Sequence, residues 1–102
     1  MTRMITIAVK EPADCWRVRH VKDSLKTYQD IVGGYIEQFT QTAGGIVMFC
    51  DEEGKLKDLL PNIVGPLGDV IFGTIFAVRA DDEGEFQSLT DYDLLKLGAK
   101  GK

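Results

Sequence analysis

Few residues in this chain have side chains suited to catalysis or metal binding. His20 is its single histidine, and Cys15 and Cys50 are its two cysteines. Any Ser-His-Asp system would have to use His20, and a cysteine nucleophile would need Cys15 or Cys50 beside it. Cys15 and His20 lie five positions apart, so an extended segment points them to opposite faces. A zinc site built from Cys15, His20, Cys50 and a carboxylate such as Asp51 would need chain reversals to gather its ligands, and the spacing matches no standard finger. Cys50 ends an apolar run and reads as a small buried hydrophobe. The acidic stretches Asp51-Glu52-Glu53-Gly54 and Asp81-Asp82-Glu83-Gly84 lack the alternating oxygen ligands of a calcium loop. Gly33-Gly34, Gly44-Gly45 and Gly65-Pro66-Leu67-Gly68 lack the spacing and following lysine of a phosphate loop. These residues predict no enzyme and no required cofactor, with zinc as the one metal they admit.

Charge is the stronger signal. Twelve Lys and Arg against sixteen Asp and Glu give a net charge of -4, which disfavours direct nucleic-acid binding because that draws its affinity from cations on phosphate. Residues 1–32 carry +2 and residues 33–102 carry -6. Seven of the twelve acids in the second part fall in or beside two turns: Asp51, Glu52 and Glu53, then Asp81, Asp82, Glu83 and Glu85. Two readings stay open. In one, the turns are polar ends that solvate very apolar strands and guard them against edge pairing. Alternatively they form one acidic patch that faces a basic groove on a partner protein. Trp16, Tyr35 and Tyr92 join them as candidate partner-binding residues, since each combines apolar area with a polar handle. Phe39, Phe49, Phe72, Phe76 and Phe86 are core candidates.

With 102 residues, 44% of them apolar, the chain has room for one core and one domain. The domain is expected over residues 1–98, with 99–102 as a flexible C-terminal tail. No apolar run approaches the roughly 20 residues that cross a bilayer, and the start is too alternating for a secretory leader. The expectation is a cytoplasmic protein with reduced thiols and no membrane partner, monomeric or homodimeric.

The elements that must position these residues can be read in order. Ile5, Ile7 and Val9 alternate, predicting a strand over Arg3 to Val9, and Trp16 to Val21 predicts a second strand paired with it. Asp23 and Ser24 offer an N-cap to a helix carrying Leu25, Tyr28 and Ile31 or Val32, which Gly33-Gly34 ends. Tyr35 to Phe39 reads as a strand. Ile46 to Cys50 is apolar on both sides and belongs in a sheet centre covered on both faces. Lys55 to Leu60 is a short strand or irregular, and Pro61 to Gly68 a loop. Val70 to Arg79 reads as one long strand bent at Gly73, followed by a short strand over Glu85 to Gln87. Thr90 caps a last helix, with Asp93 at the fourth position of a capping pattern. The whole is an α+β domain: a mostly antiparallel sheet of five or six strands with two helices packed on it.

Several blocks also occur in a familiar order: Val32-Gly33-Gly34-Tyr35-Ile36-Glu37, Phe49-Cys50-Asp51-Glu52-Glu53-Gly54-Lys55-Leu56, Leu60-Pro61-Asn62, Phe72-Gly73-Thr74-Ile75-Phe76, and Gly84 to Asp91. Together they resemble the domain-of-unknown-function family numbered 3846, with Asp51 standing where that family usually has Asn. The resemblance implies a small domain of bacteria, phages and mobile elements, and it brings no catalytic residues. The expectation that follows is a non-enzymatic protein that binds and inhibits a host protein, a nucleic-acid-handling defence effector, in the manner of an anti-CRISPR. Two alternatives stand beside it. One is a nucleotide or small-molecule binding domain that uses Arg17, Arg19, Lys22 and Lys26, and the other is a zinc-stabilised form of either.

Overall fold

A computed structural model describes residues 3–101. It shows β1 (Met4–Lys10), β2 (Arg17–Lys22), α1 (Leu25–Val32), β3 (Ile36–Gln41), β4 (Ile46–Asp51), β5 (Pro61–Val64), β6 (Val70–Phe72), β7 (Ile75–Ala80), β8 (Phe86–Gln87) and α2 (Asp91–Leu97). One sheet has six strands in the order β2-β1-β7-β4-β3, with β8 paired to β7. The other has two, β5 and β6. All the strand pairings within both sheets are antiparallel. The protein is therefore an α+β domain with two helices on a mostly antiparallel sheet.

Alternation along each strand sorts the core into two faces. Ile5, Ile7 and Val9 of β1, Val21 of β2, Val47 and Phe49 of β4, and Phe76 and Val78 of β7 form one face beneath α1. Tyr28 of α1 stacks on Phe76 at 5.0 Å, and Phe49 stacks on the other flank of the cluster at 5.1 Å from Phe76. Ala8 and Ala77, directly paired across β1 and β7, lie on the opposite face with Ile46, where Leu94 and Leu97 of α2 pack. Cys50 and Ile75 continue that face under Ile71 and Ile63 of the smaller sheet. β4 is covered on both sides, as its unbroken apolar run predicts.

Both helices begin and end where their caps predict. The Ser24 hydroxyl accepts the Thr27 N–H, and Gly33 closes α1 with φ +84°. Thr90 and Asp93 complete a capping box at α2.

The structure departs from the sequence expectations between residues 61 and 79. The single strand expected over Val70 to Arg79 is two strands in two different sheets. Gly73, at φ +85°, turns the chain between them and donates its N–H to the Leu60 carbonyl at 2.8 Å. Pro61 to Val64, expected as loop, is β5, paired with β6 through Val64↔Val70. Lys55 to Leu60 is irregular. At the C-terminal end, where a tail is expected from Ala99, the Lys100 N–H bonds the Trp16 carbonyl and its carbonyl accepts the Val18 N–H, both at 2.8 Å. Lys102 lies outside the described residues.

Candidate functional site

The two acidic turns do not form one patch. In the antiparallel register of β4 with β7, Ile46 faces Arg79 and Phe49 faces Phe76. Asp51 to Glu53 thus leave the sheet at the end where β7 begins, and Asp81 to Glu85 at the end where β7 finishes. The length of β4 separates them, about 20 Å at the usual rise per residue.

Within each turn, one carboxylate organises the backbone. Asp51 is 3% exposed; it accepts the Glu53 N–H at 2.8 Å and the Lys57 ammonium at 2.7 Å. Lys57 also donates to the Gly33 carbonyl at the end of α1, and the Asp51 hydrogen bond holds its ammonium above the ordinary lysine range. Asp81 accepts the Glu83 and Glu85 N–H groups at 2.9 Å and the Gln87 amide at 2.9 Å. These bonds, Gln87 foremost, hold its carboxyl below the usual range. Glu52, Glu53, Asp82, Glu83 and Glu85 remain exposed.

Nor are the zinc ligands expected from sequence brought together. Among the described residues no three of His, Cys, Asp and Glu are placed to hold a metal ion. His20 is on the outermost strand β2, and β1 and β7 stand between it and Cys50 on β4, roughly 14 Å at the usual strand spacing. The His20 Nδ1 pairs instead with the Thr6 hydroxyl at 2.8 Å. Cys15 lies half-buried in the turn before β2. Burial, then the charges of Glu37, Asp51 and Asp69, push the Cys50 thiol up to about 11, so it is protonated at neutral pH.

Of the aromatic candidates, Trp16 is half-buried against both clusters on the α2 side of the sheet and is not a free anchor. Tyr35 and Tyr92 are exposed, and Lys96 lies over the Tyr92 ring at 5.5 Å.

The feature that sequence reading missed is the β5–β6 hairpin. Of the ten large apolar side chains exposed among the described residues, five fall within residues 56–70: Leu56, Leu60, Val64, Leu67 and Val70. Ile63 and Ile71 turn inward onto Cys50 and Ile75, while Val64 and Val70 pair on the outer face. The Gly65 N–H bonds the Asp69 carbonyl at 2.6 Å and the Gly68 N–H bonds that of Gly65 at 3.0 Å, closing a tight loop that lifts Leu67, 93% exposed, to its apex. Asn62 anchors the hairpin to the main sheet. Its amide donates to the Lys10 and Gly73 carbonyls at 2.8 and 2.7 Å, and its carbonyl accepts the Lys10 ammonium at 2.7 Å. Glu37, Glu52 and Asp69 surround a cavity of about 130 Å³ beside Val70 and Phe72, with Lys55 as its one cation. The apolar hairpin is therefore acidic along its β6 flank. Two short apolar runs flanking Gly65-Pro66-Leu67-Gly68 were the signal that could have revealed it.

These features define a class: a small α+β domain whose inner strands β4 and β7 are buried on both faces and which presents an auxiliary apolar hairpin. The chain belongs to the DUF3846 family, a domain of unknown function, whose family model matches residues 5–100. No curated protein and no solved structure matches it. No helix among the described residues is long and apolar enough to cross a membrane.

Proposed function

We propose that this protein acts by binding another protein, with the outer face of β5–β6 as its docking surface and no bond-making of its own. The observation that carries the reading is the set of exposed apolar side chains on a hairpin held in place by Asn62, namely Val64, Leu67 at its tip and Val70, with Leu56 and Leu60 exposed in the segment just before it. Contiguous exposed apolar surface rimmed by polar groups marks interaction sites, and anchors placed centrally within such a patch dominate binding. Glu37, Glu52 and Asp69 on the β6 flank favour a partner whose recess is lined by basic residues. A basic recess is the equipment of a protein that handles nucleic acid. Occupying it would inhibit that protein, and an anti-CRISPR-like inhibitor of a host defence effector, carried by a phage or mobile element, is the narrowest form of the proposal.

The test is a competition. A candidate effector that binds nucleic acid should lose that binding when the wild-type protein is added, and keep it when Leu67→Glu is added. Asp81→Ser/Asp82→Ser/Glu83→Ser, at the far end of the sheet, should inhibit as the wild type does. Equal inhibition by Leu67→Glu would remove the hairpin from the interface.

A second reading, a nucleotide or small-molecule site on the basic side, is favoured by a cavity of about 430 Å³ between α1 and β1–β2, where Arg19 stands beside Val9, Val21 and Thr27. Arg17 and Lys26 are committed to Asp14 and Asp30. Glu11 and Asp30 share the cavity wall and weaken its attraction for phosphate. A thermal-shift screen with nucleotides separates the two readings, because a ligand at a hundred times its dissociation constant stabilises by about 2.7 kcal/mol.

A further inference from the structure

Tyr35 is 69% exposed, and its ring belongs to neither face of the core. Its backbone, by contrast, is fixed. The Gln29 carbonyl takes the N–H groups of both Gly33 and Gly34, at 2.8 and 3.1 Å, which turns the chain off the end of α1. The Tyr35 carbonyl then takes the Glu52 N–H at 2.8 Å. The residue lines a cavity of about 640 Å³, shared with Asp30, Glu53, Lys57 and the backbone of Gly33 and Gly34. Lys57 is the one cation on that wall among the described residues, and it is committed. Its ammonium lies 2.7 Å from the Asp51 carboxylate and 3.1 Å from the Gly33 carbonyl. A Cβ on Gly34 would lie 2.6 Å from that ammonium and 2.8 Å from an Asp51 oxygen, so glycine is what lets the pair close against the chain. What stays available is negative. Glu53 forms no ion pair among the described residues. Asp30 pairs only with Lys26, at 3.3 Å and well exposed to solvent, the kind of surface bridge that holds weakly. The last turn of α1 carries no basic residue, although a cation there would complement the helix dipole.

We infer that this cavity binds the guanidinium of an arginine side chain carried by a partner polypeptide. A guanidinium lays its flat face on an aromatic ring and turns its N–H groups edgewise to carboxylates. Tyr35, with Glu53 and Asp30, supplies both kinds of contact. Lysine, a compact point charge, would use the carboxylates and leave the ring face without a planar partner. Anions are opposed by the same carboxylates and by the carbonyl end of α1. A divalent metal ion finds no three ligands among the described residues. A quaternary ammonium donates no hydrogen bonds and calls for a cage of several rings, and this wall has one. The volume suits a side chain together with the residues beside it, rather than a bare ion. Free arginine brings a carboxylate of its own, which Asp30 and Glu53 repel. This site goes beyond the docking role of the β5–β6 hairpin and does not depend on it.

The experiment titrates the full-length ¹⁵N-labelled protein with acetyl-Gly-Arg-Gly-amide, with the same peptide carrying neutral citrulline for Arg, and with free arginine. The arginine peptide should shift the Gly33, Gly34 and Tyr35 amide signals at about millimolar concentration, as suits a single anchoring side chain. The citrulline peptide should bind about tenfold more weakly or less, and free arginine about fivefold more weakly. Tyr35→Leu keeps apolar area and removes the ring face, whereas Glu53→Gln keeps size and removes the charge. Each should weaken the arginine peptide by about fivefold, and Leu67→Glu should bind it as the wild type does. Both replaced side chains are exposed, so the variants should melt with the wild type. Should one of them fail to fold, the other and the citrulline comparison decide the matter. Equal binding of the citrulline peptide overturns the proposal, and so do unmoved Gly33, Gly34 and Tyr35 amides or undiminished binding in both variants. Free arginine binding as tightly as the peptide would overturn the polypeptide source.

Discussion

Arg79 and Asp93 join sheet to helix through a two-pronged ion pair. The Arg79 Nε reaches one Asp93 oxygen at 3.0 Å and its Nη2 the other at 2.6 Å. The same Asp93 oxygen that receives Nε also accepts the Thr90 N–H at 2.9 Å, so one carboxylate closes the capping box of α2 and locks the helix to β7. Arg79 donates a third bond to the Gly44 carbonyl, tying in the β3–β4 turn. Charge pairs that are geometrically complete in this way hurt most when one partner is removed.

Arg79→Ala should therefore destabilise the protein by roughly 3 kcal/mol, because it leaves the carboxylate of Asp93, 2% exposed, without its counter-charge. Chemical denaturation with both fluorescence and circular dichroism measures this. A loss under about 1 kcal/mol would mean that the pair is screened like a surface bridge.

The same pair sets an acid limit. Hydrogen bonding from Arg79 holds the Asp93 carboxyl below the ordinary aspartate range. A lowered folded value means that the stabilisation is complete above the unfolded value of about 3.9 and fades as pH falls through the folded one. Urea midpoints should hold level from pH 7 to 5 and decline below 4. In Asp93→Asn, which has no charge to lose there, the acid decline should be shallower. Parallel wild-type and variant curves would locate the acid sensitivity elsewhere.

Asn62 makes two hydrogen bonds and receives a third between the hairpin and the main sheet. Asn62→Ala should cost roughly 2–3 kcal/mol at about 1 kcal/mol for each bond. Its signature is local: amides of β5 and β6 should exchange faster while those of β1 and β7 keep their protection. Uniform loss of protection would show that the hairpin is not a separate unit.

Gly73 sits at φ +85°, and a Cβ built on it would lie 2.7 Å from the Leu59 Cδ1. Gly73→Ala should add about 1–2 kcal/mol of left-handed strain and push Leu59 aside. A fall in Tm of roughly 5–10 °C is expected for a domain of this size. An unchanged Tm would show that the junction between the two sheets relaxes freely.

Leu67→Glu is the opposite case. The side chain it replaces is almost wholly exposed, so stability should stay within about 0.5 kcal/mol of wild type. Thermal melts of the two proteins check this. A large loss would mean that Leu67 packs on something within the chain, and that a failure of the variant to bind reports folding rather than contact.

Much of this fold was legible locally. Ser24 with Gly33 and Thr90 with Gly98 bound both helices by capping chemistry that needs no distant partner. The continuous run of Ile46 to Cys50 announced a strand covered on both faces, whereas the alternation of Ile5, Ile7 and Val9, which predicts one covered face, did not show that Ala8 packs on the α2 side and that β1 is buried on both. Helical spacing sets Tyr28 on the apolar side of α1 with Leu25 and Ile31 or Val32, but only the fold shows that its ring is the aromatic centre of that face and that its hydroxyl needs a partner. Asp23 satisfies that hydroxyl at 2.7 Å, and the ring is buried against Phe76. The hairpin escaped because Gly73 marks equally well a bend within one strand or a passage between two sheets, and only the Leu60 carbonyl that takes its N–H distinguishes them.

The sequence by itself determined the class of fold, the ends of both helices and the surplus of negative charge, since each depends on neighbours within a few residues. Tertiary structure alone decided where those charges lie: the β4–β7 register sends the two acidic turns to opposite ends of the sheet. Strand register is set by pairings between residues far apart in the chain, and shifting it re-sorts every exposed group while the local pattern stays the same.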